Sequence, residues 1–146
     1  MDAKRFNILL GEDDIFDVKV VERILSDMNF SGKYTRLSYG QEVIDWTLKQ
    51  NQYKNAKHQT PDLILLDIGL PGVNGIDVLR FLRTSDDAKG IPIIICSGSS
   101  SQKDYYECIN LGCNAYIQKA EDLTFFSTTI KHFVNGWMQI SKQTFI

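Results

Sequence analysis

Glu12-Asp13-Asp14, the lone Asp67, Ser97 and Lys119 are the residues whose types and positions in this chain suit chemistry. Each closes, or directly follows, a short apolar run: Phe6 to Leu10, Leu63 to Leu66, Ile91 to Ile95, and Ala115 to Gln118. Several carboxylates, one hydroxyl and one ammonium group would meet if those runs lay side by side. Crowded carboxylates repel, so at least one has its pKa raised unless a cation sits among them. A hard, oxygen-lined and partly open site suits Mg2+, or another divalent cation such as Mn2+, which keeps several waters and commonly meets phosphate. In that setting Asp67 is a carboxylate able to accept a phosphoryl group whose charge the metal neutralises. Lys119 supplies a point charge for phosphoryl oxygens, and Ser97 a hydroxyl donor.

Each of these residues also has a plainer reading. An aspartate ending an apolar run often caps the next element, and Asp14 or Asp17 suits the cap of a following helix. Ser97 opens the polar run Ser97-Gly98-Ser99-Ser100-Ser101, which suits a turn, and a single lysine is usually solvated. The conjunction at four separate strand ends favours the chemical reading.

The elements that must position these groups follow from periodicity. Leu63-Ile64-Leu65-Leu66 and Ile91-Pro92-Ile93-Ile94-Ile95 are apolar on both faces, as parallel strands covered by helices on both sides are. Phe6 to Leu10 reads alike, Ala115 to Gln118 is shorter, and Lys33 to Ser38 alternates like an edge strand. Between them, apolar residues fall at helical spacing: Val18, Val21, Ile24, Leu25 and Met28; Val43, Ile44 and Leu48; Ile76, Leu79 and Leu82; Tyr105, Cys108, Ile109 and Leu111, stopped by Gly112. A last helix is predicted from about Leu123 to Trp137, its stripe of Phe126, Ile130, Phe133, Val134 and Trp137 serving core or partner contact. Strand and helix alternate five times, which predicts an α/β, flavodoxin-like (βα)5 doubly wound parallel sheet of strand order 2-1-3-4-5. The polar segment Lys49 to Thr60 is expected to be an exposed connection. The tail Ile140 to Ile146 is expected to outlast the last helix and dock on the domain or a partner.

A length of 146 residues fits one domain, with a core over about 6–137 and an extension over 138–146, and 43% hydrophobic residues suffice for a core. The net charge of −2 argues against a broad nucleic-acid surface. No signal peptide or membrane-length apolar run is present, and Cys96, Cys108 and Cys113 form no CxxC pair, so a cytoplasmic protein with reduced thiols is expected.

The stretches Ile8 to Asp13, Pro61 to Gly75, Ile91 to Ser97 and Tyr116 to Lys119 resemble the receiver domain of two-component response regulators, in motif content, order and spacing. The long connection before Pro61 and the aromatic C-terminal part look most like stand-alone receivers that partner phytochrome-type sensor kinases. The resemblance implies that Asp67 takes a phosphoryl group from a kinase phosphohistidine. It implies Mg2+ on Glu12, Asp13, Asp67 and the Gly69 carbonyl, Ser97 and Lys119 on the phosphoryl group, and Tyr116 as an aromatic that changes rotamer. The turn from Pro71 to Gly75 would shape the loop after Asp67, with Gly75 letting the backbone turn tightly. Output would pass by protein contact through the surface of the fourth helix, fifth strand and fifth helix, with a homodimer as one form.

Three departures from the family pattern matter. Ala120 stands where the family has proline, often after a cis peptide, and a cis bond before a non-proline residue costs about 2.5–4 kcal/mol. The acidic pair is Glu-Asp, and Ser97 replaces the frequent threonine. Gly69 and Ser99 occupy positions that modulate phosphate loss in the family, and neither can act as an acid or base, so slow loss is expected. Three competing readings remain: a haloacid-dehalogenase-like phosphatase, which needs an aspartate where Gly69 stands; a flavin-binding module, which Glu12-Asp13-Asp14 would repel; and a degenerate receiver-like interaction module that takes no phosphate.

Overall fold

The computed structural model describes residues 5–119 and 123–143, with side chains through Ile140. Five strands, β1 (Asn7–Gly11), β2 (Lys33–Leu37), β3 (Leu63–Leu66), β4 (Ile93–Ser97) and β5 (Ala115–Gln118), form one parallel sheet in the order 2-1-3-4-5. They alternate with α1 (Ile15–Asp27), α2 (Gly40–Leu48), α3 (Gly75–Arg83), α4 (Gln102–Leu111) and α5 (Leu123–Gln143). This is the flavodoxin-like arrangement expected from the alternation.

Both-face burial explains why the central strands lack polar positions. Leu9, Ile64, Leu66, Ile93 and Ile95 point to one face, against Val43 and Ile44 of α2, Ile76, Leu79 and Leu82 of α3, and Cys108 of α4. Ile8, Leu10, Leu63, Leu65, Ile94, Cys96 and Ile117 point to the other, against α1 and α5. The period-2 alternation of side chains thus becomes two separate apolar layers. Asp14 caps α1 by accepting from the Asp17 N–H at 3.1 Å, and Asn74 and Ser101 cap α3 and α4 in the same way. Gly112 closes α4 at φ 93°, the left-handed residue expected from the sequence.

The structure moves some expected boundaries. β1 and β4 begin and end one or two residues later than their apolar runs, so Ser97 is the last residue of β4. The Lys49 to Thr60 connection is not simply exposed. It holds a short 3-10 turn at Asn51–Tyr53, and His58 stacks on Trp46 at 3.6 Å while its Nε2 lies 2.8 Å from the Trp46 carbonyl. α5 continues through Gln143, past the predicted end near Trp137, because residues 138–143 contain no breaker. Phe126, Ile130 and Val134 of its stripe are buried in the chain's own core, with Phe133, Trp137 and Met138 packed on it. Phe145, Ile146 and the Lys119–Ala120 peptide lie outside the described residues. Among those described, no helix is long and apolar enough to cross a membrane.

Candidate functional site

Strand order performs the first positioning step. The sheet reverses its order between β1 and β3, and ligands bind such folds beyond the carboxyl ends of the strands at that crevice. Gly11 pairs with Leu66, so Glu12 and Asp67 emerge level, and the Asp67 N–H donates to the Gly11 carbonyl at 3.0 Å. Ser97 pairs with Gln118, and the Lys119 N–H donates to the Ser97 carbonyl at 2.6 Å.

Carboxylate oxygens of Glu12, Asp13 and Asp67 can all lie within 4.8 Å of one another. The Lys119 Nζ reaches into the cluster, bonded to Glu12 Oε1, to Asp17 Oδ2 at 2.9 Å and to Asp67 Oδ1 at 3.4 Å. Glu12 is only 3% exposed. Its lost hydration outweighs the help from Lys119 and pushes its carboxyl from 4.5 up to about 7. Burial opposes the Lys119 charge, but the bonds to Glu12 and Asp17 and the charge of Asp67 more than offset it, raising the ammonium pKa. One cation shared among several carboxylates leaves Glu12 undercompensated. That imbalance, with an all-oxygen donor set, fits a hard divalent cation held by Glu12, Asp13 and Asp67.

The loops around the cluster are fixed by backbone bonds. Arg36 of β2 donates through Nε to the Glu12 carbonyl at 2.8 Å and through Nη2 to the Asp13 carbonyl at 3.1 Å, holding the acidic turn. A Cβ at Gly69 would stand 3.2 Å from Asp67 Oδ2, so the chain at Gly69 passes beside the carboxylate without covering it. The tight turn expected at Gly75 lies elsewhere, since Gly72 carries the positive φ (74°). At Gly75 a Cβ would overlap the Asp67 carbonyl oxygen, so glycine there permits the close approach of α3.

On the β4 side, the buried Ser97 Oγ accepts the Ser99 N–H at 2.9 Å, leaving its own proton free to donate. Ser99 Oγ accepts from the Ser101 N–H at 3.1 Å and donates to Asp104 Oδ2 at 2.9 Å, which links Ser97 to the first turn of α4. The Tyr116 hydroxyl is buried near the Ser97 side chain but outside hydrogen-bonding geometry, without a partner among the described residues. Its ring meets Tyr105 of α4 edge to face at 5.3 Å. A cavity of about 310 Å³ opens beside the carboxylates, lined by Glu12, Asp17, Asp67, Lys119, Phe16 and Phe126 among others.

Of the residues singled out from the sequence, Glu12, Asp13, Asp67 and Lys119 meet at the carboxyl end of the sheet and Ser97 closes the neighbouring strand, whereas Tyr116 lies within β5 on the side of α4. For Asp17 the sequence offers only a cap. It is instead a partner of Lys119, and its place in the first turn of α1, where side chains lean back toward the N-terminus, is the signal that points to it. Arg36 carries no such signal, because an arginine on an edge strand reads as solvated.

The response regulator receiver domain model matches residues 8–131. The response regulator Rcp1 of Synechocystis sp. is 27% identical over 132 residues, covering 90% of this chain and 88% of its own. The polar-differentiation response regulator DivK of Brucella anthropi is 29% identical over 128 residues, covering 88% of this chain and 95% of its own. Among solved structures, the phosphorylated cyanobacterial phytochrome response regulator RcpA superposes with a TM-score of 0.82 at 28% identity, over 93% of this chain and 95% of that one. The Mn2+-bound form of Rcp1 superposes with a TM-score of 0.80 at 27% identity, over 90% and 93%.

Proposed function

The chain belongs to the response regulator receiver family, and on that footing we propose that Asp67 accepts a phosphoryl group from a phosphohistidine of a sensor histidine kinase. Members of this family are signalling phospho-acceptors, not enzymes that turn over outside substrates. The observation that carries the reading is the meeting of Glu12, Asp13 and Asp67 oxygens within 4.8 Å, with the Lys119 ammonium on the same cluster.

Glu12, Asp13, Asp67 and the Gly69 carbonyl would hold Mg2+ or Mn2+. When bound, the cation neutralises charge on the phosphoryl oxygens. An oxygen of Asp67 attacks phosphorus in line with the departing imidazole nitrogen, and the open side at Gly69 leaves room for the approach. Lys119, already 3.4 Å from Asp67, offers a charge-assisted bond to the transferred group. Ser97 turns its free proton toward the same oxygens. Tyr116 lies against Ser97 and Tyr105, so a change at Ser97 alters packing on the α4–β5 surface, where partners would read it. The likeness to RcpA and Rcp1 supports a phytochrome-type kinase as the phosphoryl source.

Incubation with Mg2+ and a small acyl phosphate, followed by intact-mass measurement, tests this. The expected result is a gain of one phosphoryl group that Asp67→Asn abolishes. No gain with any donor or kinase would favour a receiver-like module that takes no phosphate.

A further inference from the structure

Two cysteines that the phosphoryl-transfer site does not use are brought together by the way α4 ends. The Cys113 N–H donates to the Cys108 carbonyl at 3.2 Å, and the Gly112 N–H donates to the Ile109 carbonyl at 3.1 Å. With Gly112 in the left-handed region, these two bonds define a Schellman cap. Its outer pair, the residue beyond the glycine and the residue one turn inside the helix, characteristically touch through their side chains. Here that pair is Cys113 and Cys108.

The 3.2 Å bond limits the separation of the two Cα atoms. Standard bond lengths give a ceiling of about 7 Å even for a straight arrangement, and bending shortens it toward the 4.4–6.8 Å range that disulfides occupy. The surroundings agree. Cys108 is fully buried in the α2–α3–α4 layer, Cys113 packs on that same layer, and the Cys113 sulfur is close enough to raise the Cys108 thiol. Cys96 lies in the α1–α5 layer across the sheet and is shielded from both.

We propose that Cys108 and Cys113 are a redox modification site, closed to an intramolecular disulfide by a peroxide-class oxidant. The half-buried Cys113 is the sulfur that an oxidant reaches, and the nearby Arg83 guanidinium favours its thiolate against the opposing effect of burial. Its thiolate attacks a peroxide oxygen; the O–O bond breaks and, with one proton, water leaves and a sulfenic acid remains. The Cys108 thiol gives up its proton as its sulfur attacks the Cys113 sulfur, the S–O bond breaks, and the departing hydroxide takes that proton to give a second water. Two thiols are oxidised by two electrons and one peroxide is reduced to two waters. Burial raises the Cys108 thiol, which slows its attack on the Cys113 sulfur. The cross-link would join the end of α4 to the approach to β5, three residues before Tyr116 and one turn after Tyr105, on the surface assigned above to output.

The test uses the whole chain, treated with hydrogen peroxide, blocked with an alkylating reagent and digested with trypsin without reduction. No lysine or arginine lies between Lys103 and Lys119, so both cysteines fall in the single peptide Asp104 to Lys119, while Cys96 falls in Gly90 to Lys103. The expected product is Asp104 to Lys119 lighter by two hydrogens, unalkylated, restored by dithiothreitol, and absent in Cys113→Ala. Cys96→Ala should leave it unchanged. Alkylation of both cysteines after oxidation, stepwise oxygen addition without loss of hydrogen, or a cross-link to the Cys96 peptide would each overturn the proposal. The wild-type peptide map alone decides it if a variant fails to fold.

Discussion

Replacing Gly75 with alanine sets two effects of known size against each other beside Asp67, the proposed phosphoryl acceptor. Gly75 is the first residue of α3, and its φ is not positive, so alanine meets no backbone strain. Helix propensity alone would favour the change by about 0.5–1 kcal/mol. Against this, the new Cβ would overlap the Asp67 carbonyl oxygen and stand 2.7 Å from Ile68 Cα and 2.8 Å from the Asp67 carbonyl carbon. These are backbone atoms at the end of a central strand and cannot rotate aside. Overpacking of this kind costs about 1–3 kcal/mol; overlap with immobile backbone belongs in the upper half of that range, so steric cost wins and the net loss is about 1–2.5 kcal/mol. At this chain length that is a fall in Tm of roughly 3–8 °C. Because Asp67 and Ile68 must shift to relieve the overlap, the rate of phosphorylation by a small acyl phosphate should fall as well. Gly136 is the matched control: it lies within α5, with nothing within 4 Å of where a methyl group would stand, so Gly136→Ala should gain about 0.5–1 kcal/mol. Thermal and urea melts of both variants decide the matter. A Gly75→Ala protein as stable as the Gly136→Ala protein would refute the reasoning.

Further outcomes follow from the same site. In chelator, Glu12 holds its proton in the folded state up to about 7, against 4.5 when unfolded, so the unfolded chain binds fewer protons in that window and stability falls as pH rises through it. Subtracting the urea-melt stability of Glu12→Gln from wild type isolates this slope; a difference that rises with pH would contradict it. Tyr116→Phe removes a buried hydroxyl without a partner, so Tm should hold or increase by the equivalent of up to about 1 kcal/mol, whereas a clear loss would reveal a hydrogen bond. Ser99→Ala deletes the acceptor for Ser101 N–H and the donor to Asp104, and should cost about 1 kcal/mol with faster amide exchange confined to the first turn of α4. Gly69 places no acid or base beside Asp67, so phosphate loss in Mg2+ should be slow; a half-life of seconds by time-resolved mass measurement would count against this.

The sequence disclosed most where one residue's environment is set by its neighbours along the chain. Runs such as Leu63 to Leu66 are apolar throughout because both faces are covered, and that alone pointed to a parallel sheet. Asp14 and Gly112 were legible as helix ends because capping is local. Glu12, Asp13, Asp67, Ser97 and Lys119 were legible because a strand end is a fixed address in this fold. Asp17 was not, since its ion-pair partner lies 102 residues away and its position in a first helical turn equally suits a cap. His58 on Trp46 was hidden within a polar segment whose composition promised only exposure. The role of Gly75 is a matter of what stands across from it, which no local pattern records.

Under the proposed function, the placement of Lys119 offers a route by which a phosphoryl group on Asp67 would be felt at α4. In this state the ammonium lies nearer to Asp17, at 2.9 Å, than to Asp67, at 3.4 Å, and it also bonds Glu12. A phosphoryl group adds negative charge and strong acceptors to the weakest of these three partners. The balance of attraction would then move toward position 67 and draw the ammonium across the cluster. Lys119 is tied through its own N–H to the Ser97 carbonyl, and Ser97 Oγ holds the Ser99 N–H. Ser99 in turn holds Ser101 and Asp104, the cap and first turn of α4. Each link is a single hydrogen bond, so the relay runs from Lys119 to the first turn of α4 without a break. The same sharing that leaves Glu12 undercompensated would then favour rearrangement: a cluster fully neutralised by its own side chains would have little reason to rearrange when charge arrives.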